Sequence, residues 1–102
     1  MGHLVKLQKL RKKIDSLDYE LLDILAARIR LSKSVARFKF QNGKRIRDRK
    51  RETKLLNEMV KKAKSKGIDD TKFIKGLFIS IIKKSIKVQK EQIALWEKKN
   101  GS

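Results

Sequence analysis

From Leu4 to about Gln41 the apolar positions Leu7, Leu10, Ile14, Leu17, Leu21, Leu25 and Val35 recur in threes and fours, with Arg28 and Ser32 on the same beat. No proline or glycine interrupts the run. This spacing predicts one long helix, about 55 Å at 1.5 Å per residue. A domain of this size has a radius of gyration of only about 13 Å, so the stripe needs a partner chain. Asn42-Gly43 is a stop signal, and Lys44 to Arg47 form a short basic loop. Asp48 caps a second helix to about Lys66, with Leu55, Leu56, Met59, Val60 and Ala63 inward and Gly67 as its stop. Asp69 or Asp70 caps a third, which carries Phe73, Ile74, Leu77, Phe78, Ile81, Ile82, Ile86, Ile93 and Trp96 at helical spacing to about Lys98. The fold class is all-α, with a three-helix protomer, a very long first helix and one domain over residues 1–102 (core 5–98).

Polar residues interrupt these stripes. On a wheel of about 100° per residue with Arg11 at zero, Leu10, Ile14 and Leu21 centre the apolar face of the first helix near 280°. Arg28 and Lys39 fall near 260° and 280°, in mid-stripe. Buried unpaired charge costs several kcal/mol, so each cation either snorkels out at the end of a seam or meets an anion or strong acceptor. Asp48, Arg51, Glu52 and Leu55 follow i, i+3, i+4, i+7 on the second helix, where Asp48 reads as a cap and Arg51 with Glu52 as a solvated pair, or all three as site groups. Ile82, Ser85 and Gln89 line one face of the third helix, the amide being either a satisfied core group or a ligand contact. Three inward polar stripes together suggest one cationic cavity inside a bundle, suited to an anion. Arg11 lies about 25 Å along the helix from Arg28 and about 100° around it, so it is a surface arginine or reaches the cavity of a partner in an antiparallel or intertwined dimer.

Composition narrows the chemistry. The 102 residues contain no cysteine or proline and one histidine, His3, which removes disulfides and thiolate sites and leaves no imidazole metal site to expect. No cofactor or metal is expected. No apolar run is long enough to cross a bilayer and no signal-peptide core is present, so a cytoplasmic protein is expected. A net charge of +18 invites a nucleic-acid reading, but no zinc-finger spacing, RNP-like aromatic strand or helix-turn-helix pattern accompanies it. A basic nucleic-acid-binding module therefore stays only as an alternative to an enzyme with a small anionic substrate.

Leu10-Arg11-Lys12-Lys13-Ile14-Asp15-Ser16-Leu17-Asp18, Leu21-Leu22 and Ala26-Ala27-Arg28 resemble the opening helix of the all-helical chorismate mutases. Val35-Ala36-Arg37-Phe38-Lys39, Arg47-Asp48-Arg49-Lys50-Arg51-Glu52, and Ile81-Ile82-Lys83-Lys84-Ser85 with Gln89 are similar to that family's later motifs, in order, over about residues 5 to 90. The resemblance implies conversion of chorismate to prephenate, on the route to aromatic amino acids, by an intertwined homodimer in which Arg11 of one chain completes the other's site. It implies that Arg11, Arg28 and Arg51 face the substrate's two carboxylates and their surroundings, that Lys39 and Gln89 bond the breaking ether oxygen, and that Glu52 with the Asp48 region holds the hydroxyl. Ser85 would contact a carboxylate, and Val35 and Ile82 join the substrate-binding set. Two departures stand out: Arg45 and Arg49 occupy places where the family's loop carries proline, and Lys83-Lys84 replace a commonly acidic pair. The related isochorismate pyruvate-lyases share the fold and a glutamine at the Gln89 position; Glu52 favours the mutase.

Overall fold

The computed structural model describes residues 2–100, and among them every regular element is helical: α1 (Gly2–Gln41), α2 (Arg49–Ser65) and α3 (Thr71–Asn100). The breaks fall where the backbone must turn left-handed. Gly43 (φ 63°) and Gly67 (φ 86°) adopt positive φ, a region in which a Cβ would be strained, so the chain leaves α1 and α2 at these two residues. The Asp48 carboxylate accepts the Arg51 N–H at 3.0 Å and starts α2. Of the two candidate caps for α3, Asp70 takes the role, accepting the Phe73 N–H at 3.1 Å. The expected ends thus hold to within about two residues, the scatter typical of fraying termini.

The chain divides within α1 into two compact units, one ending at Leu31 and one beginning at Ser32. In the first unit the apolar stripe lies bare: Leu4, Leu7, Leu10, Ile14, Leu17 and Leu21 are all exposed, Leu17 at 63%. A lone helix has no second surface against which to bury such a stripe.

In the second unit α2 packs against α3, and side chains from the end of α1 reach α3. Ala36, Ala63, Ile74, Ile82 and Val88 are buried, and the expected inward residues of α2, Leu55, Leu56, Met59 and Val60, are half-buried around them. Of the expected α3 stripe, Phe73 and Leu77 are instead exposed, while Phe78, Ile81, Ile86, Ile93 and Trp96 are half-buried. Phe40 of α1 meets Trp96 of α3 with ring centroids 5.7 Å apart, and the Arg37 guanidinium lies 6.0 Å above the same indole. No helix among the described residues is long and apolar enough to cross a membrane.

Candidate functional site

Ser32, Ala36 and Lys39 succeed one another at i, i+4, i+7, which puts them on one face of α1. Ala36 is completely buried, and its small side chain leaves room for the flanking polar groups to reach across to α3. There Ser85 and Gln89, one turn apart, receive them. The Lys39 ammonium donates to Gln89 Oε1 at 3.0 Å and also to the backbone carbonyl of Ile46, in the loop before α2. Gln89 Nε2 donates to Ser85 Oγ at 3.1 Å, and Ser85 Oγ lies 2.8 Å from Ser32 Oγ.

Lys39 thus meets two oxygen acceptors, one from α3 and one from the loop, and the ammonium remains half-buried instead of snorkelling into water. Burial is the main cause holding its pKa below the ordinary lysine value; the carboxylates of Asp48 and Glu52 oppose that shift and the Arg51 charge adds to it. No buried side-chain nitrogen or oxygen among the described residues lacks a partner.

A second cluster opens α2. Arg47 Nη2 contacts Glu52 Oε1 at 2.8 Å, with Nε 3.4 Å from Oε2, so Glu52 pairs with the residue preceding the cap and not with its neighbour Arg51. The hydrogen bond from Arg47 is the largest reason the Glu52 carboxyl sits below its usual pKa. A depressed carboxyl stabilises the fold above its ordinary pKa, and this contribution disappears as pH falls through the lowered value. Arg47, Glu52, Leu56, Ile82 and Lys83 border a cavity of about 230 Å³. A wider basic hollow of about 640 Å³ lies over the loop, lined by Lys44, Arg45, Arg47, Asp48 and Arg49. Lys39 and Gln89 line neither.

Of the residues singled out by sequence, Lys39, Ser85 and Gln89 form one hydrogen-bonded chain, and Asp48 and Glu52 lie near enough to bias Lys39 electrostatically. Ile82 is buried at 8%, one turn from Ser85, whereas Val35 is 44% exposed. Arg11, exposed, and Arg28, half-buried, both belong to the first unit. Two further residues take part in these contacts: Ser32, which the helical beat of α1 presents as one more small stripe residue, and Arg47, which lies in the loop before α2. A loop residue has no helical phase, so the wheel carries no signal for Arg47.

A family model described as chorismate mutase type II matches residues 10–90. A chorismate mutase of Methanocaldococcus jannaschii is 35% identical over 95 residues, covering 93% of this chain and 95% of that protein. Bifunctional chorismate mutase/prephenate dehydratases of Buchnera aphidicola from Schizaphis graminum and Acyrthosiphon pisum are 33% and 32% identical over 81 residues. Those matches cover 79% of this chain and 21% of each bifunctional protein. No solved structure matches the chain at a comparable level.

Proposed function

The chain belongs to the chorismate mutase type II family, and from that premise we propose that it rearranges chorismate to prephenate at the Lys39–Gln89 pair, as a single domain acting within a cytoplasmic homodimer. The rearrangement is intramolecular: one C–O bond breaks as one C–C bond forms, with no nucleophile or proton carrier. The protein's task is to hold the compact conformer and to stabilise negative charge growing on the ether oxygen.

The observation that carries this reading is the Lys39–Gln89 bond at 3.0 Å. It turns the amide oxygen to the ammonium and leaves Nε2, which has two protons, with one given to Ser85 and one for a substrate oxygen. The ammonium likewise has three protons and two protein acceptors. One donor from each side chain is thus left for the ether oxygen. On this reading Arg28, Arg51 and, from the partner, a second Arg11 take the carboxylates, Ser85 adds a hydroxyl, and Glu52 with Asp48 holds the substrate hydroxyl. Val35 and Ile82 pack against the ring. The bare stripe of α1 supports a dimer, since a second copy supplies the apolar surface that one chain lacks.

Purified protein supplied with chorismate should consume it and release prephenate. Salicylate from isochorismate would instead indicate the lyase, and no turnover of either would remove the enzymatic reading. The shared site has its own test: mixing inactive Arg11→Ala and Lys39→Ala proteins should restore activity, because a mixed dimer holds one site with both residues intact. Failure of the mixture to regain turnover, with subunit exchange verified, would exclude the donation of Arg11 between chains.

A further inference from the structure

Resting on the reading that Lys39 and Gln89 act on the ether oxygen, we propose that Ser32 is a positioning residue that holds Gln89 in line through the hydroxyl of Ser85. The two hydrogen bonds of Gln89 have a fixed direction. An ammonium only donates, so the Gln89 amide oxygen must face Lys39 and its nitrogen must face Ser85. Ser85 Oγ therefore accepts from Gln89, and its placement decides whether the amide is anchored at both ends or at one.

A serine inside a helix has a competing option, because its hydroxyl can turn back to the carbonyl one turn earlier. Ser32 Oγ, 2.8 Å away, offers Ser85 a partner on another helix and keeps its oxygen beneath the Gln89 nitrogen. Without that partner the Ser85 hydroxyl is released to its own backbone. Gln89 is then anchored only at its oxygen, and a terminal amide torsion is soft.

Packing alone does not account for a hydroxyl here. Ser32 is 5% exposed, and a buried hydroxyl is costly unless bonded. Alanine forms helix more readily, and Ala36 already fills the same face of α1 one turn later. The oxygen is retained at a position where helix stability favours a methyl group. Ser32 Oγ meets the Ser85 hydroxyl at 2.8 Å, and through that contact it bears on the Gln89 amide.

The test is a double-mutant cycle read as kcat and KM on chorismate. Ser32→Ala should lower kcat about five- to tenfold while changing KM by less than about twofold, the signature of a contact that matters in the transition state. In a Ser85→Ala background the same substitution should change kcat by less than about twofold, because the link is already cut. Ser32→Thr, which keeps the hydroxyl, should recover most of the lost turnover. Circular dichroism controls for folding of each variant. Wild-type kcat in Ser32→Ala, or an equal loss whether Ser85 is present or absent, overturns the proposal while leaving the mutase reading intact. A wild-type protein that leaves chorismate untouched overturns that reading and this proposal together.

Discussion

Lys39→Ala should remain a helical protein but lose at least about a hundredfold in kcat. A preorganised donor aimed at developing charge in a water-excluded site is worth about 3 to 4 kcal/mol, and even a modest enzyme must supply about 8 kcal/mol in all. Lys39 is the charged member of the donor pair, so its loss removes the larger share. The substitution also strips a donor from the Ile46 carbonyl and from Gln89 Oε1. Leaving such acceptors partly buried and unbonded costs about 1 to 3 kcal/mol of stability. Circular dichroism and steady-state kinetics must therefore be read together: a folded variant with near wild-type turnover would take Lys39 out of the mechanism.

The lowered pKa of Lys39 should give opposite pH trends in two observables, stability and turnover. Its pKa is lowered in the folded protein, chiefly by burial, so between that value and the ordinary lysine value the unfolded chain binds the extra proton. Stability from this group rises with pH across that window. Turnover falls across it, because the neutral amine no longer offers a charge to the ether oxygen.

Gln89→Glu should be active at acidic pH and nearly inactive at neutral pH, whereas the wild type keeps its turnover through the same range. One glutamate oxygen can keep the Lys39 bond, but the other replaces Nε2, the donor to Ser85 and to substrate. An ionised carboxylate only accepts and repels a developing oxyanion; a protonated one regains a single donor. Activity is therefore present below the glutamic acid pKa and disappears as pH rises through it. The Lys39 ammonium at hydrogen-bond distance favours the ionised form, while the 6% exposure of position 89 favours the neutral form. A pH–rate profile for kcat decides the matter, and equal activity of the variant and wild type at neutral pH would count against the ether contact.

The sequence carried the helices almost completely because their signals are local. Unbroken spacing to Gln41, the positive-φ glycines at 43 and 67, and an aspartate before each later helix need no tertiary knowledge. It also singles out Lys39, Ser85 and Gln89, which the structure joins in one hydrogen-bonded chain, since a polar residue in an apolar stripe violates the pattern. What it lacked was pairing. The sequence suggests a pair of Glu52 with Arg51, but adjacent residues on a helix diverge by about 100°, and Arg47 of the loop reaches Glu52 instead. The Ile46 carbonyl that holds Lys39 belongs to the backbone, which has no letter in a sequence. Ser32 gives no such signal, because a serine is small enough to fit an apolar rhythm without breaking it.

The bare stripe along the first unit of α1 carries a consequence for how the stability of this protein can be expressed at all. With the stripe covered by a second copy, as proposed, unfolding and dissociation form one reaction whose equilibrium constant has units of concentration. The melting temperature should then climb as protein is added, and a monomeric fold would show no such dependence. No single unfolding free energy would describe the protein without its molarity, and at the dilutions of an enzyme assay the supply of partner chains would become a determinant of how many active sites exist.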